Sequence, residues 1–259
     1  MSIIKKFRIT KFKNPNPIIS IKKISLSFKK NHLILDNISI DIIKGEVIGL
    51  LGPNGAGKSS LMNIITGLIK PNFGNIYINN EDITHLPIYL RTKKFKISLV
   101  PQLGGFFSDL SAEDNLNAVG EIIIKDKSER KFKIENLISR FELDAVRKVE
   151  AKFLSGGMKR RLVISMALLG DPQILLMDEP LAALDPQTIQ MLQTIIVKLQ
   201  IEYNLTIIIT DHQARDLLAV CDRAIILSNS KIVAEGTPNE LINNKDAAKY
   251  YFGDSFKFK

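Results

Sequence analysis

Hydrophobic positions along this chain follow two rhythms. Asn37-Ile38-Ser39-Ile40-Asp41-Ile42 alternates polar and apolar with period two, which predicts a half-exposed strand. With Ile19–Phe28 and Gly74–Ile78 it predicts an antiparallel β-region. Val47–Leu51 and Ile174–Met177 are short unbroken apolar runs, which predict buried strands, and Thr206–Thr210 reads as a further strand. The helical rhythm is clearest at Ile134, Leu137, Ile138 and Phe141, which fall at i, i+3, i+4 and i+7. Residues 103 to about 165 therefore read mostly as helices. A helix is expected over Pro186–Gln200 and a hairpin around Ser228-Asn229-Ser230. Thr237-Pro238-Asn239-Glu240 has the form of a capping box with Pro at the first helical position. A tail spanning residues 1–18 ends in Asn14-Pro15-Asn16-Pro17, which reads as a linker. Strands and helices in this order predict an α/β fold.

The punctuation between strand Val47–Leu51 and the following helix carries chemistry. Gly52, Pro53, Asn54, Gly55, Ala56, Gly57, Lys58, Ser59 and Ser60 form a Gly-rich loop running into a helix that ends at Gly67. Backbone N–H groups of such a loop converge on oxyanions, and the helix N-terminus adds positive potential. Lys58 can reach the β- and γ-phosphates of a nucleotide, and Ser59 can ligate Mg²⁺. Asp178 and Glu179 close the strand Ile174–Met177, at the sheet edge where ligands of open α/β sheets bind. Asp178 is placed to hold Mg²⁺, and Glu179 to orient or deprotonate an attacking water.

Leu154-Ser155-Gly156-Gly157 lies before this pair and is followed by Lys159-Arg160-Arg161. With Gln102 and His212 in order, the chain resembles the nucleotide-binding subunits of ABC transporters over roughly residues 20–242. The resemblance implies a P-loop NTPase core of RecA type. An antiparallel β-subdomain would flank it, and a helical subdomain would be inserted over about residues 103–165. The ATPase domain would span 19–242, followed by a C-terminal tail over 243–259. It also implies roles. Gln102 would sense Mg²⁺ and the membrane partner, and His212 would act near the γ-phosphate. Ser155, Gly156 and Gly157 would bind the nucleotide held by a second chain. Ala183-Leu184-Asp185 resembles the D-loop, and Phe28 is the candidate for stacking on adenine. Two positions depart from the family pattern: Met158 stands where Gln or Glu is usual, and Ala182 where the D-loop usually starts with Ser. One chain carries one of each half-site, so two copies would sandwich two ATP molecules.

Charge and composition change the picture in few places. The net charge is +9. The first 30 residues carry Lys5, Lys6, Arg8, Lys11, Lys13, Lys22, Lys23, Lys29 and Lys30 and no acidic residue. Such a tail is a solvated face, or a contact for anionic lipid at roughly 1 kcal/mol per cation, or a polyanion contact. No nucleic-acid-binding motif accompanies it, so no nucleic acid partner is expected. No apolar run reaches the ~18 residues of a membrane span, and no signal peptide is expected. Cys221 is the only cysteine, which excludes an intrachain disulfide and suits a reducing cytosol. His32, His85 and His212 form no metal-ligand spacing.

Three further segments bear on cargo: Phe107 to Leu116, Thr210 to Ala224, and Tyr251-Phe252-Gly253-Asp254-Ser255-Phe256. All three resemble the cytoplasmic ATPases of lipopolysaccharide export systems. That resemblance implies two copies of the chain beneath two integral inner-membrane permease subunits, peripheral on the cytoplasmic face. Phe106 and Phe107 fall where a groove for the permease's coupling helix would be lined. ATPases of branched-chain amino acid importers share the general layout and are the alternative. ABC ATPases without membrane partners usually carry two cassettes or a long coiled-coil insertion, and this chain has neither.

Overall fold

The computed structural model describes residues 17–29 and 32–253. Residues 1–16 of the basic tail and Asp254, Ser255 and Phe256 of the final motif lie outside the described residues. Strands β1 (Pro17–Lys29), β2 (His32–Ile43), β3 (Val47–Leu51), β4 (Phe73–Ile78) and β5 (Glu81–Asp82) open the chain. β6 (Ile97–Val100), β7 (Ile174–Asp178), β8 (Thr206–Thr210), β9 (Arg223–Ser228) and β10 (Lys231–Gly236) follow. They form two sheets, one antiparallel in the order β2-β1-β4-β5 and one in the order β10-β9-β3-β8-β7-β6. In the second sheet β9, β3, β8, β7 and β6 run parallel and β10 is antiparallel to β9. The period-two strand alternates as expected: Ile38, Ile40 and Ile42 are buried while Asn37, Ser39 and Asp41 are exposed.

The unbroken apolar runs have a physical cause. Both faces of the parallel sheet are covered, so alternation of polarity disappears. Val47, Leu51, Leu175, Met177, Ile207 and Ile209 enter one core, and Ile48, Leu50, Ile174, Leu176 and Ile208 enter the other.

Helices α1 (Lys58–Thr66) and α2 (Ile88–Phe95) pack near each other through a buried cation. Arg91 is 1% exposed and donates to the carbonyls of Ile64 (2.7 Å), Ile65 (2.9 Å), Thr84 (3.0 Å) and Leu86 (2.8 Å). It thereby satisfies carbonyls at the C-terminal end of α1, which lack intrahelical partners. Gly67 (φ 87°) closes that helix, and a Cβ there would stand 2.8 Å from the Arg91 Nε. Burial pulls the Arg91 guanidinium down to about 10.

The helical insert consists of α3 (Ala112–Ile123), α4 (Lys127–Arg140) and α5 (Gly156–Leu168). Ser111 and Asp126 cap the first two, accepting from the N–H groups of Asp114 and Glu129. Ile134, Leu137, Ile138 and Phe141 all face the core. Residues 103–111 form no regular helix. They are held by Asn115, whose side chain exchanges hydrogen bonds with the Phe107 backbone at 2.7 and 3.0 Å. α6 (Pro186–Tyr203) runs further than expected, until Asn204 turns into the left-handed region. α7 (Ala214–Leu218), α8 (Pro238–Ile242) and α9 (Lys245–Ala247) complete the set. The capping box at Thr237 and Glu240 is present.

Three features of the structure bear on the expected tails and groove. The first strand begins at Pro17, inside the expected tail, because Pro17 pairs with Ile43. Residues 243–253 are not a free tail, because Tyr251 and Phe252 pack on the main core. Phe106 also packs on that core, whereas Phe107 is 54% exposed. Among the described residues no helix is long and apolar enough to cross a membrane.

Candidate functional site

The site forms where β3, β7 and β8 end together. Register places Leu50 and Asp178 on either side of Thr210, so the loops after these strands converge. Gly52 (φ 151°) turns the chain out of β3, and a Cβ there would meet the Leu227 carbonyl at 2.2 Å. Gly57 (φ 98°) enters α1, where a Cβ would lie 2.7 Å from the Ile34 carbonyl. Neither position accepts a side chain, so the loop is a tightly packed backbone cradle. Pro53, Asn54, Gly55 and Ser59 are exposed, Ser60 is half-buried, and Ala56 and Lys58 are buried. The Lys58 Nζ donates to the carbonyls of Gly52 (2.8 Å) and Pro53 (3.1 Å). Burial lowers the Lys58 pKa, opposed by the charges of Glu179, Asp178 and Asp211.

The carboxylates face this loop. Asp178 accepts from the Ser59 hydroxyl at 3.3 Å and from the Thr210 hydroxyl. Glu179 sits in the left-handed region (φ 46°), which is uncommon for a residue with a long side chain. Its backbone N–H is held at 3.0 Å by both the carbonyl and the hydroxyl of Thr210. Its carboxylate accepts from Gln102 Nε2 at 2.6 Å and lies 3.5 Å from His212 Nδ1. The structure therefore brings Gln102, Glu179 and His212 into one cluster beside Lys58, Ser59 and Asp178. Asp211, fully buried, accepts from the N–H groups of Leu181 (3.3 Å) and Gln213 (2.9 Å). Burial pushes its carboxyl up.

Arg160 is a residue whose role the sequence did not reveal. It donates to the carbonyls of Pro101 (2.9 Å), Gln102 (3.1 Å) and Glu179 (3.3 Å). It thereby ties α5 to both carriers of the Gln102–Glu179 pair. Burial lowers its pKa, against the pull of Asp211, Asp178 and Glu179. The only sequence signal was a basic run after Gly157.

Ser155 and Gly156 are exposed at the start of α5. Ser155 caps the helix by accepting from the Met158 N–H at 3.3 Å, and the Met158 side chain packs on the core. The helix cap therefore needs nothing from the Met158 side chain. Asp185 caps α6 in the same way, accepting from Thr188 N–H at 3.0 Å. Phe28 is 63% exposed on β1. Its neighbour Ser27 pairs with Leu33 on β2, next to the Ile34 carbonyl that abuts Gly57.

Comparison with known proteins agrees with this geometry. The ABC transporter family model matches residues 35–182, more than half of the chain, and the chain belongs to that family. It is the ATP-hydrolysing, nucleotide-binding subunit of an ABC transporter. The Haemophilus influenzae lipopolysaccharide export system ATP-binding protein LptB is 37% identical over 93% of this chain and 99% of the relative. Among solved structures, CbiO1 of Clostridium perfringens, part of the cbiONQ complex, superposes with a TM-score of 0.79. It is 27% identical, covering 90% of this chain and 94% of that one. The cassette MJ0796, solved as a dimer in a post-hydrolysis state with ADP and phosphate, gives 0.76 at 28% identity. The match covers 85% of this chain and 98% of that one.

Proposed function

We propose that this chain is the ATPase that powers lipopolysaccharide export from the inner membrane. The observation that carries the reading is the 37% identity to LptB, sustained over nearly the full length of both proteins. The segments Phe107–Leu116, Thr210–Ala224 and Tyr251–Phe256 support the same choice. Two copies would sit beneath two integral permease subunits, peripheral on the cytoplasmic face. The cbiONQ complex and the MJ0796 dimer are precedents in the family.

In this reading the loop from Gly52 to Ser60 and Lys58 hold the phosphates of ATP, and Phe28 stacks on the base. Ser59 and Asp178 offer two hard oxygen donors 3.3 Å apart. No group of three or more His, Cys, Asp or Glu residues suited to a metal occurs among the described residues. That sparse set fits Mg²⁺, which keeps waters and substrate phosphates in its shell. Mg²⁺ would supply neutralisation of phosphate charge. Gln102 borders the pair. Glu179 accepts a proton from the attacking water, with His212 beside it. Ser155, Gly156 and Gly157 complete the site of the second copy.

Depletion of the chain in its native cell tests the cargo. Lipopolysaccharide should accumulate at the inner membrane. Normal outer-membrane delivery with failed uptake of branched-chain amino acids would favour the importer instead.

A further inference from the structure

After β10 the chain folds back over the nucleotide site. Asn244 caps α9, and a π-turn over Ala248–Phe252 follows. It closes at Gly253 (φ 75°), whose N–H reaches the Ala248 carbonyl at 2.8 Å. Tyr251 and Phe252 pack on the main core with ring centroids 5.3 Å apart. Both rings are anchored by apolar contacts.

The Tyr251 hydroxyl does something the ring does not. It donates to the backbone carbonyl of His212 at 2.9 Å. The backbone N–H of Gly52, first residue of the phosphate loop, faces the phenol oxygen and pulls against the upward shift of its pKa. Burial, then the charges of Asp211 and Glu179, push the phenol up to about 12. It therefore remains a donor at neutral pH.

The His212–Gln213 peptide is clamped at both ends. Asp211 holds one end by accepting from the Gln213 N–H at 2.9 Å, and the Tyr251 hydroxyl holds the other end at the His212 carbonyl. The imidazole is 48% exposed, with Glu179 at 3.5 Å and Asp211 at 3.7 Å from Nδ1. Contacts that long leave the direction of the ring to its backbone.

We propose that Tyr251 is a positioning residue for ATP hydrolysis: its hydroxyl fixes the carbonyl end of the His212–Gln213 peptide, so that the imidazole faces Glu179. This rests on the reading of His212 as the residue that acts near the γ-phosphate. The ring supplies anchorage and the hydroxyl supplies alignment, so Tyr251→Phe separates the two.

The test compares steady-state ATP hydrolysis by the purified full chain, Tyr251→Phe, His212→Ala and the double variant. Tyr251→Phe should lower kcat roughly three- to tenfold, the effect of one lost hydrogen bond on a reacting geometry. KM for ATP and the melting temperature should stay near those of the parent. In the His212→Ala background the Tyr251→Phe change should cost nothing further, since the two act as one unit. Unchanged kcat in Tyr251→Phe overturns the inference while leaving the His212 reading intact. So does a change confined to KM, a fall in kcat that tracks a fall in melting temperature, or full additivity in the double variant. Parent-level activity in His212→Ala overturns both.

Discussion

Gln102 Nε2 lies 2.6 Å from Glu179 Oε2, and Arg160 holds the backbone carbonyls of both residues. The residue expected to sense the membrane partner therefore touches the residue expected to activate water. Any displacement of the loop carrying Gln102 reaches the Glu179 carboxylate directly.

Glu179→Gln keeps the shape and hydrogen-bonding size of that side chain but removes the base. Hydrolysis should fall by roughly 10²–10⁴-fold, while ATP binding persists. Radiolabelled or fluorescent nucleotide binding and phosphate release measure the two separately. Normal turnover by the purified variant would refute the role of Glu179.

The same variant should trap an ATP-bound dimer, because hydrolysis is what reopens it. Gly156 is exposed at the start of α5. Adding Gly156→Asp places a carboxylate where the partner's γ-phosphate would lie, and like charge should block closure. Light scattering in ATP should report dimers for Glu179→Gln and monomers for the double variant. Equal dimerisation of the two would sink the trans arrangement.

Arg91→Met should destabilise the fold by about 3–5 kcal/mol, because the buried carbonyls of Ile65 and Thr84 and the part-buried carbonyl of Leu86 lose their guanidinium donor, and Ile64 keeps only the Gly67 N–H. Arg91→Lys should recover only part, since one ammonium cannot span acceptors that the planar guanidinium forks between. Urea unfolding of the three proteins measures this. A cost below about 1 kcal/mol for Arg91→Met would show that water replaces the guanidinium.

Acid should weaken the helical insert through Glu113. Hydrogen bonds from Arg147 and Lys148 pull this carboxyl from its ordinary 4.5 down to about 2. A depressed folded-state value stabilises the fold above the unfolded value and is lost as pH falls through the folded one. The stabilisation is therefore complete above about pH 4.5 and gone near pH 2. Glu113→Gln should flatten melting temperature against pH across that window, and an unchanged slope would refute the assignment.

Much of this was legible in the sequence, and what was not has a physical pattern. Val47–Leu51 and Thr206–Thr210 match the strands residue for residue, because sheets buried on both faces write unbroken apolar runs. Lys58, Ser59, Asp178 and Glu179 meet because strand order brings the ends of β3, β8 and β7 side by side. Arg91, Arg160 and Tyr251 were invisible as site-makers. Each acts on backbone carbonyls, and a carbonyl has no letter in the sequence. The left-handed backbone of Glu179 was hidden for the same reason. Phe106 and Phe107 are adjacent and chemically identical, so only packing could separate the half-buried ring from the exposed one.

That separation sharpens the prediction about the membrane partner. Phe107 is 54% exposed, with its backbone pinned on both sides by Asn115. Leu103 (85% exposed) and Leu110 (37% exposed) lie on the same loop. Exposed apolar side chains on a well-held loop are suited to anchor a partner helix, and aromatic anchors contribute most of the affinity at such sites. Phe107→Ser should leave folding and basal ATP hydrolysis close to the parent, because no residue of the nucleotide site contacts that ring by hydrogen bond or stacking among the described residues. It should release the chain from membranes containing its permease subunits, by at least about tenfold in affinity if Phe107 is a hot spot. Phe106→Ser should instead lower the melting temperature, since that ring packs on the core. Co-sedimentation with native membranes and melting curves on both variants distinguish the two roles. Retention of Phe107→Ser on the membrane, with loss of Phe106→Ser at unchanged stability, would reverse the assignment.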